Sequence, residues 1–171
     1  LLRAFRRSPK PIIARVNGPV AAGGMGLVAS CDMAIAADDA HFATPEVKVG
    51  LFPMMIMAVL ARSVAQKPLL HMMMTGERID AAAAVSMHLI NAAVPRVELD
   101  ARVAMLAGQV AAASPLVLRL GRQAYYTMDD MTVDAALEYL CNQLTVNTLA
   151  EDAAEGLMAF LGRRAPSWQG R

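Results

Sequence analysis

The sequence predicts an α/β protein in which strands and turns extend to about residue 53 and helices follow. A β-branched run at residues 12–16 leads into residues 17–32, which hold four glycines and then turn apolar. This order indicates a strand, a tight turn and the start of a helix. Further along, apolar side chains recur at helical spacing, as at Leu99, Val103 and Leu106, which indicates one buried helix face.

Two more short strands are expected after the glycine-rich stretch. Residues 32–37 are apolar after Asp32, two aspartates follow as a turn, and residues 41–43 can extend again. Pro45 disfavours helical backbone at Thr44. We therefore expect Glu46 on a loop or at its edge.

The later part of the chain carries signals for helix starts. Asp80 is a predicted N-cap, because its side-chain oxygens can accept a hydrogen bond from a free amide of the first turn. Ser114 and Pro115 are expected to start another helix. Thr148 and Glu151 have the spacing of a capping box for the last helix.

The composition is that of one globular domain with a real core. The 171 residues are 56% hydrophobic, and 16 basic residues nearly balance 15 acidic ones. A net charge of +1 gives no general attraction to nucleic acid or to an acidic membrane surface. The cluster Arg3, Arg6 and Arg7 is interpreted as a solvated helix face, so no nucleic-acid partner is expected.

Localisation and redox state are predicted from what the chain lacks. The apolar run at residues 49–61 is too short to span a bilayer, so no membrane partner is expected. The N-terminal residues lack the pattern of a signal peptide. Cys31 and Cys141 each lie in apolar sequence, which is typical of buried reduced cysteines. A cytoplasmic protein is the resulting expectation.

The glycines of the central turn leave two uses open. Gly23 and Gly24 lie at a predicted helix start, where unpaired amides and the helix dipole can hold an anion or a developing oxyanion. Close packing of the turn against a neighbouring strand is the alternative. Nucleotide phosphate binding is disfavoured, since the stretch lacks the Gly-Lys-Ser/Thr ending of a Walker A loop and the glycine order of a dinucleotide fingerprint.

Glu46 is the candidate acid or base. It lies in a largely uncharged span, accompanied only by Lys48, and a carboxylate in apolar surroundings suits proton transfer near neutral pH. A surface ion pair between Glu46 and Lys48 is the alternative. The three histidines show no metal-ligand spacing, so no metal site is expected.

Several segments together resemble the crotonase family, the enoyl-CoA hydratases and isomerases. The resemblance extends over essentially the whole chain. The segments that carry it are residues 10–18 (KPIIARVNG), 22–24 (AGG), 31–36 (CDMAIA), 42–53 (FATPEVKVGLFP), 69–81 (LLHMMMTGERIDA), 89–91 (LIN) and 159–168 (AFLGRRAPSW).

The resemblance implies a spiral of ββα turns, of which residues 1–97 would be a part, followed by a helical oligomerisation region at residues 98–171. It also implies a homotrimer, or a hexamer of paired trimers, that binds an acyl-CoA thioester. No separate cofactor is expected, because coenzyme A is part of the substrate. Phe160 and Arg164 are expected to approach the coenzyme A of a neighbouring subunit.

The family chemistry holds a thioester carbonyl between two backbone amides that stabilise an enolate. One amide falls at the position of Gly23. The other is expected in a segment upstream of residue 1. Gly24, Gly26 and Met54 are expected substrate contacts beside them.

The two carboxylates of the family's hydratases match this chain unevenly. The second falls on Glu46, but the first falls on Gly26, which has no side chain. This pairing favours isomerisation of a 3-enoyl-CoA to a 2-enoyl-CoA over hydration, since that isomerisation needs one acid/base group. Met54 replaces the further acid of dienoyl isomerases, which disfavours their reaction. Hydration of a 2-enoyl-CoA and a non-catalytic scaffold that binds acyl-CoA are the alternatives.

Overall fold

The structure is a computed structural model that describes residues 1–171. The chain divides into two compact units. Unit 1 holds residues 1–6 and 12–107, and unit 2 holds residues 7–11 and 108–171. The sequence predicts a boundary between residues 97 and 98, at the start of a helix, whereas the division between the units falls inside that helix.

Unit 1 contains all the strands of the protein. They are β1 (Ile13–Val16), β2 (Val20–Ala21), β3 (Met33–Ala37), β4 (His41–Ala43), β5 (Arg78–Asp80) and β6 (Ala92–Val94). Strands β1, β3 and β6 form one parallel sheet in that order, and β2, β4 and β5 form a second sheet. The expected strands at residues 12–16, 32–37 and 41–43 are confirmed within one residue at each end.

The second sheet has one parallel and one antiparallel pair. Val20 and Ala21 of β2 lie opposite Phe42 and Ala43 of β4, and these two strands run in the same direction. Strand β5 pairs with β4 in the opposite direction. The carboxyl ends of β2 and β4 therefore lie at the same edge of this sheet.

The helices of unit 1 cover the sheets and separate the strands. They are α1 (Leu2–Arg6), α2 (Gly23–Ser30), α3 (Met54–Leu60), α4 (Gln66–Thr75), α5 (Ala81–Ser86) and α6 (Leu99–Ala111), the last continuing into unit 2. Two 3₁₀ helices, Pro45–Val49 and Arg96–Glu98, complete the connections. Asp80 caps α5, as expected, by accepting a hydrogen bond from the Ala83 amide at 2.7 Å.

The core of unit 1 is apolar and fully enclosed. Phe42, Met25, Leu60 and Met73 have no exposed surface, and Met72 has almost none. Methionine suits such a core because its flexible chain fills irregular gaps. The first turn of α3 differs, since the side chains of Met54 and Met55 are mostly exposed.

Unit 2 is a set of three helices with a C-terminal extended segment. The helices are α7 (Pro115–Met128), α8 (Val133–Thr148) and α9 (Glu151–Leu161). Helix α7 starts at Pro115, as expected, and Ser114 caps it by accepting a hydrogen bond from the Val117 amide. The capping box expected at Thr148 is absent, because the Thr148 hydroxyl donates to the Thr145 carbonyl and α9 begins after Ala150.

A buried carboxylate holds the extended segment of unit 2. Asp152, 1% exposed, accepts hydrogen bonds from the Ser114 hydroxyl at 2.5 Å and from the amides of Gln169 and Gly170. The Ser114 hydrogen bond is the main cause of the lowered pKa of Asp152, and the two amides lower it further. The Trp168 indole donates to the Ala112 carbonyl at 2.7 Å, which fixes the segment at a second point.

No single helix of the structure has both the length and the hydropathy needed to cross a membrane. One bent pair of helices meets that test by length and composition only.

Candidate active site

The two residues predicted to carry the chemistry lie after neighbouring parallel strands. Gly23 comes two residues after the end of β2, and Glu46 comes three residues after the end of β4. The Ala22 amide donates a hydrogen bond to the Ala43 carbonyl at 3.1 Å, which extends the pairing to the point where both chains turn away. Ligand sites form at such edges, where several turns leave a sheet together.

Gly23 begins α2 after a strained residue. Ala22 has φ 50° and ψ −123°, a backbone conformation that costs a residue with a Cβ about 1–3 kcal/mol and that clusters at functional sites. The Met25 amide closes the turn by donating to the Ala22 carbonyl at 3.0 Å. The Gly23 amide thus stands at a helix start, where no carbonyl of the helix can accept its hydrogen.

The space around Gly23 is open. A Cβ placed on Gly23 would meet no atom within 4 Å, and the residue is exposed. Gly24 is tighter, since a Cβ there would lie 3.4 Å from Cγ1 of Val20. Neighbouring glycines of the predicted site therefore differ: the first leaves room for a ligand at the helix start, and the second packs against the preceding strand.

Gly26 lies in filled space. It is buried, and a Cβ at this position would lie 2.4 Å from Cγ2 and 2.9 Å from Cβ of Ile56 on α3. The missing side chain at position 26 is thus matched by an isoleucine from another helix. The sequence does not reveal this contact, because the two residues lie thirty positions apart in the chain.

Glu46 is held on the first turn of the 3₁₀ helix Pro45–Val49. Pro45 starts this helix with a preset φ angle. Gly50, with φ 77°, ends it, and the amides of Gly50 and Leu51 donate to the carbonyls of Val47 and Glu46. The 3₁₀ helix is therefore fixed at both ends, which limits the directions that the Glu46 side chain can take.

The carboxylate of Glu46 has unused hydrogen-bonding capacity. Its Oε2 atom is buried and has no hydrogen-bond partner, and the same is true of Oγ1 of Thr44 two residues earlier. Buried polar atoms normally have partners, and leaving one without costs about 1–3 kcal/mol. Orphaned oxygens of this kind mark a place where a ligand or a transferred proton can bind.

The ion pair between Glu46 and Lys48 is not formed. The Lys48 stem lies instead against Gly76 at the end of α4, where a Cβ would meet Lys48 Cε at 2.9 Å. Thr44 is the residue of this site that the sequence did not single out. Its position directly before Pro45 and Glu46 was the available signal, but a threonine there also reads as an ordinary N-cap.

The remaining predicted contacts lie elsewhere in their units. Met54 begins α3 and is 64% exposed. In unit 2, Phe160 is 78% exposed on α9. The Arg164 guanidinium binds both carboxylate oxygens of Glu155, at 2.6 and 2.8 Å. This pairing lowers the pKa of Glu155 to about 2 and raises that of Arg164.

Curated proteins of similar sequence have names that refer to hydratases or dehydratases of coenzyme A thioesters. The human enoyl-CoA hydratase domain-containing protein 3, mitochondrial, is 43% identical over 96% of this chain and 54% of its own length. Carnitinyl-CoA dehydratase of Escherichia coli K12 is 33% identical over 95% of this chain and 64% of its own length. The chain spans about half the length of the vertebrate relatives that it matches, 54% to 58%.

Solved structures confirm the expected crotonase-like α/β fold. An enoyl-CoA hydratase of Mycobacterium smegmatis superposes with a TM-score of 0.95 at 33% identity, over 98% of this chain and 65% of that one. The human enoyl-CoA hydratase domain-containing protein 3 superposes with a TM-score of 0.94 at 38% identity, over 98% of this chain and 66% of that one.

The cytoplasmic localisation expected from the sequence is contradicted by the relatives. The human, mouse and rat proteins are each named as mitochondrial. The expectation was wrong because it rested on the absence of a targeting pattern, and composition does not specify a compartment.

The family assignment rests on the whole chain and not on the turn alone. The profile described as enoyl-CoA hydratase/isomerase matches residues 1–171. Together with the fold and with the paired positions of Gly23 and Glu46, this match shows that the chain belongs to the enoyl-CoA hydratase/isomerase family.

Proposed function

We propose that this protein isomerises a 3-enoyl-CoA to a 2-enoyl-CoA, with Glu46 as the acid/base and the Gly23 amide as part of the oxyanion hole. The buried Oε2 atom of Glu46, without a hydrogen-bond partner, is the observation that carries the proposal. A carboxylate oxygen in this state can accept a proton from a substrate carbon without first giving up another partner.

In the proposed reaction the thioester oxygen accepts a hydrogen bond from the Gly23 amide. Glu46 removes a proton from C2, and the electron pair of that C–H bond moves toward the carbonyl, giving a dienolate whose negative charge lies on the oxygen. Glu46 then returns the proton at C4. The double bond has moved from C3–C4 to C2–C3. Glu46 ends the cycle as a carboxylate, as it began, and no water or other reactant is consumed.

The environment of Gly26 supports isomerisation over hydration. Hydration needs a group that activates water as well as one that protonates carbon. Position 26 supplies no side chain, and the space beside it is filled by Ile56. Glu46 is then the single carboxylate assigned to the reaction, and one carboxylate is enough to move one proton.

Hydration or dehydration of a coenzyme A thioester is the second candidate. The names of the relatives favour it, since they include enoyl-CoA hydratase and carnitinyl-CoA dehydratase. Assays of the same preparation with a 3-enoyl-CoA and a 2-enoyl-CoA separate the two. Efficient addition of water to the 2-enoyl-CoA, with slow conversion of the 3-enoyl-CoA, would contradict the isomerase assignment.

Glu46→Gln tests the role of the carboxylate. We expect turnover to fall by about 10²–10⁴-fold, because an amide cannot accept the proton. The melting temperature and the Kd for a saturated acyl-CoA should stay close to those of the wild type. Glu98→Gln, a change at an exposed glutamate outside the site, is the matched control and should leave turnover unchanged.

The same experiment separates an enzyme from a scaffold that only binds acyl-CoA. A scaffold would bind the saturated thioester with either residue at position 46 and would convert neither enoyl-CoA. Retention of full turnover in Glu46→Gln would contradict the acid/base assignment itself.

We propose further that the protein assembles as a homotrimer or hexamer through unit 2. Support comes from large apolar side chains that α8 and α9 leave mostly exposed, a pattern that marks interaction surfaces. They are Val133, Leu137, Leu144, Leu157, Phe160 and Leu161. Sedimentation at several protein concentrations tests this, and a monomer at every concentration would contradict it.

Of the two residues expected to approach coenzyme A from a neighbouring subunit, Phe160 is the better supported. Its ring is mostly exposed and available for a new contact. Arg164 would first have to leave Glu155, to which it makes two short hydrogen bonds. A contact between Arg164 and a phosphate therefore competes with an existing ion pair.

A further inference from the structure

Two glycines on one face of α2 have opposite surroundings. Gly23 and Gly26 are three residues apart, so they face the same side of the helix. A Cβ at Gly23 would meet nothing within 4 Å, whereas a Cβ at Gly26 would overlap Ile56. Within one helical turn of α2, an open position at Gly23 is therefore followed by a position that Ile56 closes.

Ile56 cannot easily move aside. It is 6% exposed and belongs to the same buried cluster as Met25, Leu60 and Met73. The atoms that face Gly26 are its Cβ and Cγ2, and in a β-branched side chain these follow the helix backbone with little rotational freedom. Ile56 thus forms a rigid apolar boundary and not a flexible lining.

We propose that Ile56 is a specificity-determining residue that limits the bulk of the acyl group next to the thioester carbonyl. The proposal rests on the proposed function, because it takes the carbonyl to lie at the Gly23 amide. C2 of the acyl group is bonded to the carbonyl carbon. A methyl branch at C2 is therefore the acyl substituent that would contact Ile56 first. Unbranched acyl groups fit, and 2-methyl acyl groups are rejected.

The contact itself is tested by stability. Gly26→Ala should lower the melting temperature, although alanine is normally the better helix former, because its methyl group meets Ile56. In an Ile56→Ala background the same change should lower it much less or raise it. Gly108→Ala, at a glycine of α6 with open surroundings, is the matched control and should raise the melting temperature.

Specificity is tested by binding, so that it does not depend on turnover. The Kd values of butanoyl-CoA and 2-methylbutanoyl-CoA are measured by calorimetry for the wild type and two variants. Ile56→Ala removes the γ-methyl group at Gly26 and should improve the relative affinity for the branched thioester about tenfold. Ile56→Val keeps a branched Cβ against Gly26 and should leave the affinity ratio close to that of the wild type.

Two outcomes would overturn the proposal. One is an equal change in melting temperature on Gly26→Ala in the wild type and in Ile56→Ala. This would show that a methyl group at position 26 and the Ile56 side chain do not compete for the same space. The other is an unchanged affinity ratio in Ile56→Ala. Full turnover in Glu46→Gln contradicts the proposed acid/base role and leaves both of these binding and stability measurements valid, so the two failures are distinguishable.

Discussion

The two units of the protein are stabilised in different ways. Unit 1 buries large side chains such as Phe42, Met25 and Leu60 completely, whereas the buried apolar residues of unit 2 are two alanines, Ala124 and Ala159. Burial of apolar area is the main favourable contribution to folding. Unit 1 can thus hold a strained turn at Ala22, while unit 2 depends on hydrogen bonds and ion pairs for much of its local order.

The difference has a functional meaning. A site of the proposed kind needs donors and acceptors held in place before the reaction, and Gly23 and Glu46 both follow strands of unit 1. Unit 2 leaves most of its large apolar side chains available for contacts with another molecule. Three measurements test this contrast, in order of decreasing expected effect.

The first compares truncation of a buried side chain in unit 1 with truncation of an exposed side chain in unit 2. Phe42→Ala in β4 should lower the free energy of unfolding by about 3–5 kcal/mol, because it leaves a cavity in the core of unit 1. Leu137→Ala in α8, at a side chain that is 62% exposed, should change it by no more than about 0.5 kcal/mol. Urea denaturation at low protein concentration, where assembly contributes little, provides both values.

The contrast between the units would be wrong if the two truncations cost the same. An effect of Leu137→Ala that grows with protein concentration would show instead that another subunit covers this face.

The second removes the buried carboxylate of unit 2. Asp152→Ala leaves the Ser114 hydroxyl and the amides of Gln169 and Gly170 without their acceptor, so the melting temperature should fall and the C-terminal segment should become sensitive to protease. Asp152→Asn keeps one acceptor oxygen and should have a smaller effect. An unchanged melting temperature in Asp152→Ala would show that the segment contributes nothing to stability.

The third follows the ion pair between Glu155 and Arg164 as pH falls. The pKa of Glu155 is lowered from 4.5 to about 2 in the folded protein, so the unfolded state binds the proton first. The stabilisation is present above the unfolded pKa and is lost as pH falls toward the folded pKa. The stability difference between wild type and Glu155→Gln should therefore shrink between about pH 4.5 and 2.

Asp152 also has a lowered pKa and contributes its own pH dependence, which is why the comparison with Glu155→Gln is needed. A difference between the two proteins that stays constant across that range would contradict the assignment to Glu155.

The sequence predicts local features of this fold well. The strand positions follow from short apolar runs, Asp80 caps the helix it precedes, and a helix starts at Ser114-Pro115. Each of these depends on neighbours within a few residues. The expectation of a loop at Glu46 is wrong, because Pro45 starts a 3₁₀ helix that includes it. Thr148 shows the limit of such rules, because its hydroxyl donates to the Thr145 carbonyl and caps no amide of the next helix.

Features that depend on distant contacts could not be read from the sequence. Gly26 indicates a missing side chain, but only the structure shows Ile56 in its place. Asp152 looks like an ordinary acidic residue in the first turn of a helix, and its role comes from residues seventeen and eighteen positions later. The orphaned hydroxyl of Thr44 likewise depends on burial by other elements.

The left-handed backbone of Ala22 also bears on protein engineering. Glycine would relieve the unfavourable φ angle, so the position invites a stabilising replacement. The same relief would widen the range of directions in which the following N–H can point. Thermostability and placement of the hydrogen-bond donor are therefore opposed at this residue, and a screen for heat resistance alone would select variants with a less well-positioned donor.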